Sequence, residues 1–228
     1  MTNRNQYFDF IRGIAILMVI AIHTFPQSDV STQKGAINLI LRQIAGSPVP
    51  LFLAISGFFL GGKILDTKEQ RLTFWKKQIP KVYIPVLIWS LPLLFLSIKN
   101  GENLIISIIR FFGCGYSIYY FIALIIQCYI FLPMLQKIQN RRFFCILTYL
   151  ISTTCVFFIS WFDFNRFPLV VYAGPIVTWI MFFYMGIILS KERREKNIRY
   201  LSIFIGLSII LCIAESYMLY HCCPVKVC

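Results

Sequence analysis

Seven strongly apolar segments run through this 228-residue chain, and they constrain its fold more than any other feature. No polar stretch between them is long enough to enclose a hydrophobic core of its own. The mean hydropathy of +0.74 and the hydrophobic content of 58% lie far outside the range of soluble globular domains. The sequence therefore predicts an all-α, polytopic bundle of transmembrane helices. The seven segments are Phe8–Phe25, Pro48–Leu60, Val82–Ile98, Ile118–Leu132, Phe143–Phe162, Leu169–Leu189 and Tyr200–Tyr220.

The basic residues lie mainly between these segments, and their distribution predicts an orientation. If the N-terminus is cytoplasmic, 16 of the 22 Lys and Arg residues fall on the inner side and six on the outer side. The positive-inside rule therefore favours a multi-pass membrane protein with a cytoplasmic N-terminus. This distribution accounts for the net charge of +13, so no nucleic-acid partner is expected.

The second segment, Pro48–Leu60, is only about 20 Å long as a helix. Gly46–Pro50 separates it from the apolar run Ala36–Ala45. Two interpretations fit: a discontinuous or re-entrant helix beside a cavity, or an ordinary loop that enters a short helix. Ser56 and Gly57 lie inside this segment, where they either line the cavity or permit close approach of another helix.

Arg12 and His23 are eleven residues apart in the first segment. At about 100° per residue their side chains share one helix face, with about 16 Å between them along the axis. Ionisable side chains are costly in lipid and usually face the protein interior or a water-filled cavity. The pair indicates a shared polar path and is the first candidate for chemistry. The alternative for His23 is a structural histidine that hydrogen-bonds to a neighbouring helix.

Other charged and aromatic residues have both a structural and a functional interpretation. Asp9 precedes Arg12 by three residues, a spacing that predicts an ion pair on one face or a substrate contact. Lys76, Lys77 and Lys81 lie in the predicted inner loop Lys63–Lys81, where they set topology or bind the phosphates of an anionic donor. Candidates for lining a cavity, besides Asp9, Ser56 and Gly57, are Tyr119, Tyr120 and Glu215.

Tyr119 and Tyr120 begin the fourth segment as part of an aromatic belt or as a sugar-stacking platform. Glu215 is an acidic residue inside the last segment, where it either packs against a basic partner or lines the cavity.

Five of the eight cysteines lie in or beside apolar segments without metal-ligand spacing, so no metal site is expected there and they are interpreted as small buried hydrophobic residues: Cys114, Cys128, Cys145, Cys155 and Cys212. His221, Cys222, Cys223 and Cys228 cluster in the last eight residues, where a thiol or metal site is the less favoured alternative. The sequence thus predicts one membrane domain over residues 1–220 and an atypical Cys-rich tail over residues 221–228.

Four blocks together resemble the acyltransferase 3 family of integral-membrane O-acyltransferases. The first is Asp9–Ala15 followed by His23, and the second is Val49–Phe58. The third is the basic stretch Phe74–Lys81, which leads to Pro85 and Trp89. The fourth runs from Tyr119 to Pro133, with a looser match at Phe182–Gly186.

The resemblance implies transfer of an acyl group, often acetyl, from a cytoplasmic acyl-CoA co-substrate to a hydroxyl of a cell-envelope sugar or glycan. It also implies a location in the bacterial inner membrane. It assigns essential roles to Arg12 and His23, and a looser donor-binding role to Lys77 and Lys81. In the resulting mechanism His23 is a general base and Arg12, with the inner-loop lysines, anchors the donor. No permanently bound cofactor is expected, and the sequence does not indicate an oligomeric state.

Two departures from the family pattern affect this interpretation. Ser117 stands near the place where relatives often have a histidine, and the chain has seven segments where relatives have about ten helices. We expect residues 221–228 to be a premature or frameshifted end that leaves an incomplete bundle. The rival interpretations are a non-catalytic transporter or scaffold and an inactive remnant.

Overall fold

The computed structural model describes residues 6–24, 41, 45, 48–116, 119–138, 140–162 and 169–191. Within these ranges the regular secondary structure is helical, as predicted. The predicted span Tyr200–Tyr220, with Glu215, and the tail 221–228 lie outside the described residues. The helices are α1 (Gln6–Thr24), α2 (Pro48–Gly61), α3 (Lys68–Lys99), α4 (Leu104–Phe112), α5 (Tyr120–Gln136), α6 (Arg141–Trp161), α7 (Leu169–Tyr172) and α8 (Ile176–Lys191).

The chain divides into two compact units. The first consists of Met1–Phe52 and Arg193–Cys228, and its described part is mainly α1. The second is Leu53–Glu192, which contains most of α2 and all of α3 to α8. In the second unit α5 packs against α3, α7 and α8, while α6 packs against α8 and α4 against α3. The helix α5 is therefore the centre of the second unit.

Two of the described helices are long and apolar enough to cross a membrane. They are α3 and the part of α6 from Arg141 to Ile159. The helices α2, α5 and α8 are apolar but shorter, at 14, 17 and 16 residues. Large apolar side chains are exposed along α3 and α6, as on a surface that faces lipid. The total of seven spans remains a prediction.

The interpretation of Lys63–Lys81 as a loop is wrong for most of its length. Helix α3 begins at Lys68, 14 residues before the predicted start at Val82. A capping box begins it: the Gln70 backbone N–H donates to Thr67 Oγ1 at 3.2 Å, and the Thr67 N–H donates to Gln70 Oε1 at 3.1 Å. This box satisfies backbone groups at the helix start, so the polar segment is helical although it is not apolar.

Helix α3 has 32 residues and is about 48 Å long, longer than the hydrocarbon core of a bilayer. Pro80, Pro85 and Pro92 lie inside it. Proline is tolerated within membrane helices where neighbouring groups satisfy the freed carbonyls. The polar first half therefore extends the third predicted span beyond its apolar part.

Helix α4 is absent from the sequence-based assignment, which left residues 99–117 as an outer loop. The Asn103 side chain begins it by accepting hydrogen bonds from the backbone N–H groups of Ile105 and Ile106 at 2.9 and 3.4 Å. Ser107 lies buried against α3, with its Oγ 2.8 Å from that of Ser97. With nine residues the helix is far too short to span the membrane, so it is not found when the sequence is searched for membrane spans.

The predicted sixth span, Leu169–Leu189, is broken into α7 and α8. Gly174 and Pro175 interrupt the helix, and the amide of Gln127 on α5 satisfies the freed backbone. Gln127 Nε2 donates to the Gly174 carbonyl at 2.9 Å, and its Oε1 accepts from the Ile176 N–H at 3.0 Å. A polar side chain from one helix thus stabilises the break in another.

Helices α2 and α8 touch through their backbones. A Cβ atom at Gly57 would clash with the carbonyl of Phe183, and one at Gly186 would clash with the carbonyl of Ala54. Gly61 lies in the same way against Ser190, one turn further along both helices. This pairing of small residues four apart is the arrangement that lets membrane helices approach most closely.

Candidate functional site

Arg12 and His23 both lie on the continuous helix α1, so the prediction that they share a face holds. The guanidinium of Arg12 donates to the carboxylate of Asp9 at 3.3 Å, which confirms the predicted ion pair. The side chains of Arg12 and Asp9 are 42% and 31% exposed. His23 is exposed in the last turn. The first unit therefore offers a positive group held by a carboxylate near one end of α1 and an accessible imidazole at the other.

Lys76, Lys77 and Lys81 lie on α3 in the second unit, and all three are exposed. Because this segment is helical, Lys77 and Lys81 lie one turn apart on the same face. Their helix is anchored nearby, where the Trp75 indole N–H donates to the Tyr129 carbonyl of α5 at 2.8 Å. Two like charges at this spacing repel each other, so an anion bound between them relieves a destabilising interaction.

The remaining sequence candidates occupy structural positions in the second unit. Ser56 is half-buried on α2, and Gly57 lies in the contact with α8. Tyr119 precedes the first residue of α5, and Tyr120 is that residue; both are half-buried. Glu215 and Ser117 lie outside the described residues. The structure therefore explains Gly57 by close helix approach, while a cavity-lining role for the others stays a prediction.

Sequence reasoning overlooked two glutamines of α5 that organise the second unit. Gln127 and Gln136 are nine residues apart, about two and a half helical turns, so they face opposite sides of α5. Gln127 holds the break before α8. Gln136 Nε2 donates to the carbonyls of Leu60, Gly61 and Lys63 at 3.0, 3.2 and 3.0 Å. A side-chain amide in an apolar helix is costly unless it finds such hydrogen-bond partners. The presence of a glutamine in an apolar segment is therefore the sequence signal that identifies both residues.

Three basic segments that the charge count placed on one side of the membrane meet at one end of the second unit. A cavity of about 290 Å³ there is lined by Lys63 before α3, Lys137 after α5 and Lys191 at the end of α8. The Lys191 ammonium donates to the Gln136 carbonyl at 3.0 Å. We call this cavity the basic cavity. It brings together residues 128 positions apart in the chain.

A second, mainly apolar cavity of about 420 Å³ lies between α3, α5 and the turn after α4. Its lining includes Tyr83, Gln127 and Cys114. The Tyr83 hydroxyl donates to the Phe112 carbonyl at 2.8 Å. Cys114 is 2% exposed, and burial raises the pKa of its thiol, so the group is un-ionised at neutral pH. Among the described residues, no group of three side chains is arranged to hold a metal ion.

The sequence profile of the acyltransferase 3 family, described as an acyltransferase domain, matches residues 5–222. This match covers nearly the whole chain, from the start of α1 past the last described helix. The chain belongs to the acyltransferase 3 family. Its members are membrane proteins, and the two long apolar helices α3 and α6 agree with that assignment.

Curated relatives of this family member carry other names. An amino-acid racemase of Enterococcus faecalis is 30% identical over 184 residues, which cover 74% of this chain and 25% of that protein. A serine/alanine racemase of Enterococcus gallinarum is 24% identical over 241 residues, which cover 95% of this chain and 34% of that protein. The chain therefore spans about a quarter to a third of the length of these relatives. No solved structure matches it.

Proposed function

We propose that this membrane acyltransferase transfers an acyl group, acetyl in the simplest case, from cytoplasmic acyl-CoA to a hydroxyl of a cell-envelope sugar or glycan. The family supplies the reaction class. The observation that carries the proposal is the arrangement on α1, where Arg12, paired with Asp9, and the accessible His23 share one face about 16 Å apart. That separation leaves room for an extended pantetheine arm between them.

In this proposal the imidazole of His23 acts as the general base. It takes the proton of the acceptor hydroxyl while that oxygen attacks the thioester carbonyl, and an O–acyl bond forms as the C–S bond breaks. The departing sulfur takes up a proton and leaves as coenzyme A. Arg12 binds the phosphate-bearing part of the donor, because its planar fork donates two parallel hydrogen bonds to phosphate oxygens.

The family resemblance also assigns a donor-binding role to Lys77 and Lys81 of the second unit. They lie one turn apart on α3, and binding of an anion between them reduces their mutual repulsion. Lys76 is adjacent on a neighbouring face of the helix and adds positive charge. In the proposed orientation this polar part of α3 lies at the cytoplasmic surface, where acyl-CoA is present.

The test is transfer of labelled acetyl groups from acetyl-CoA to envelope material by membranes that contain the chain. His23→Ala is expected to reduce transfer at least about 100-fold, because a positioned general base contributes roughly 10²–10⁴-fold. Arg12→Lys is expected to raise the apparent KM for the donor, since the charge remains and the fork is lost. The matched control is Thr24→Ala, which changes the exposed neighbour of His23. Full activity of His23→Ala, with normal amounts of protein in the membrane, contradicts the general-base role.

A second candidate function is passage of an amino acid through the membrane without chemical change. Two observations favour it: the curated relatives are named as racemases of amino acids, and α7 and α8 form a broken helix like those of transporters. Uptake of labelled serine or alanine into vesicles, without added acyl-CoA, distinguishes it from the transferase. Uptake that persists in His23→Ala, together with no acetyl transfer by the unchanged chain, favours the transporter.

A further inference from the structure

The basic cavity carries a net positive charge from residues far apart in the chain. Lys63, Lys137 and Lys191 contribute three positive charges to its lining, and Asp66 contributes one negative charge. Among the described residues, none of these three lysines forms an ion pair. The surplus of two positive charges matches a phosphate monoester dianion or two singly charged phosphate oxygens.

The structure fixes part of this lining in place. Lys191 is held by its hydrogen bond to the Gln136 carbonyl. The backbone at Lys63 is held by Gln136 Nε2, and the Lys63 ammonium lies 5.3 Å from the centre of the Phe74 ring. An ammonium with three donors keeps donors available when one is used. Two of the three lysines of the basic cavity, Lys63 and Lys191, are therefore held in place by neighbouring groups.

A narrow cleft beside the basic cavity contains an unsatisfied hydroxyl. The cleft shares Gln136 and Lys191 with the cavity and is also lined by Arg141 and Tyr184. Tyr184 is 1% exposed, and its hydroxyl has no hydrogen-bond partner among the described residues. A buried hydroxyl without a partner is costly, but the cleft has no room for a water molecule, so the Tyr184 hydroxyl is closed to a ligand in this structure.

We propose that the basic cavity is a phosphate-binding site, with Lys63, Lys137 and Lys191 as charged donors. The phosphate comes either from the headgroup of an anionic lipid or from a soluble phosphate compound; the recognition chemistry is the same. The site requires neither Arg12 nor His23 and therefore goes beyond the proposed acyl transfer.

The test measures the thermal stability of the full chain in lipid nanodiscs, which needs no turnover. One arm adds inorganic pyrophosphate to phosphatidylcholine nanodiscs, with potassium chloride at equal ionic strength as the reference. The other arm compares phosphatidylglycerol with phosphatidylcholine nanodiscs. A ligand that binds the folded state raises the melting temperature. Stabilisation in the first arm identifies a soluble phosphate compound, and stabilisation in the second arm alone identifies a lipid headgroup.

Matched variants locate the effect. Lys137→Gln and Lys191→Gln are expected to weaken the apparent affinity for the stabilising probe about tenfold each, as loss of a charge-assisted hydrogen bond does. Arg142→Gln and Lys99→Gln change exposed basic residues that do not line the site, and they are expected to leave the affinity unchanged.

Tyr184→Phe is a further control because it removes only the hydroxyl in the closed cleft. The ligand-free protein is expected to keep or increase its melting temperature, since a buried unsatisfied group is lost, and the probe affinity is expected to stay unchanged. The proposal is overturned if neither arm raises the melting temperature. It is also overturned if the control variants lose as much affinity as Lys137→Gln and Lys191→Gln.

Discussion

Single polar side chains satisfy backbone groups at helix ends and breaks of this chain, although its composition is mainly apolar. Gln136 closes the end of α2, because its Nε2 donates to the carbonyls of Leu60 and Gly61 in the last turn and of Lys63 just beyond it. Gln127 does the same for the break before α8. Both were overlooked in the sequence because they are uncharged, although an amide in lipid also needs partners.

Cys114 provides a test at the residue scale. Its φ angle is +53°, in the left-handed region that favours glycine. Cys114→Gly and Cys114→Ala both remove the buried thiol, and only the glycine variant relieves the backbone strain. We expect Cys114→Gly to be more stable than Cys114→Ala by about 1 kcal/mol. Thermal or denaturant unfolding in detergent measures the difference, and equal stability of the two variants contradicts the strain.

At the scale of the helices, the close packing of α2 against α8 depends on glycine. Helix α2 presents Gly57 and Gly61, and α8 presents Gly186 and Ser190, so that backbone meets backbone. The sequence allowed this interpretation for Gly57 beside a cavity-lining one, but it did not identify α8 as the partner. Only the fold brings two segments so distant in the chain into contact.

Gly57→Ala is expected to destabilise the protein by about 1–3 kcal/mol, because a Cβ atom there meets the Phe183 carbonyl and forces the helices apart. Gly62→Ala is the matched control, since no atom lies within 4 Å of a Cβ at that position. Its effect is expected to stay within about 0.5 kcal/mol. Melting temperatures in detergent, followed by circular dichroism, compare the two. A Gly62→Ala variant that is destabilised as much as Gly57→Ala contradicts the close contact.

At the scale of the whole molecule, α3 runs antiparallel to α5 and α6 runs antiparallel to α8 within the second unit, whereas α8 runs parallel to both α2 and α5. Trp75 near the start of α3 contacts Tyr129 near the end of α5, and Phe144 near the start of α6 contacts Tyr184 on α8. The ends that carry Lys63, Lys137 and Lys191 therefore meet, as the charge distribution predicted for inner segments.

A labelling experiment tests this topology. In a background without native cysteines, Lys63→Cys and Lys137→Cys are expected to react with a membrane-impermeant maleimide only from the cytoplasmic side. Asn100→Cys, at the other end of α3, is expected to react only from the opposite side. Reaction of Lys63→Cys and Lys137→Cys from different sides contradicts the topology of the second unit. Reaction of both from the outer side reverses the proposed orientation.

The sequence predicted the features that depend on the distribution of apolar and charged residues. It predicted the helical class, the bounds of α1, α2 and α6 to within two residues, and the Asp9–Arg12 ion pair. It failed where local polar chemistry determines structure: the capping box that begins α3, the Asn103 cap of α4 and the amide that supports the break before α8. The sequence also could not predict the basic cavity, because three separate segments converge there only in the folded chain.

Gly57 and Gly186 are about 130 residues apart, so α2 leaves the ribosome long before its partner is made. At roughly 5–20 residues per second, translation of that interval takes about 6–26 s. During this time the glycine face of α2 meets only lipid or the insertion machinery. With 14 residues, and so about 21 Å in length, α2 is too short to span a bilayer on its own. Its final placement therefore follows the synthesis of α8, and the two helices enter their native arrangement together.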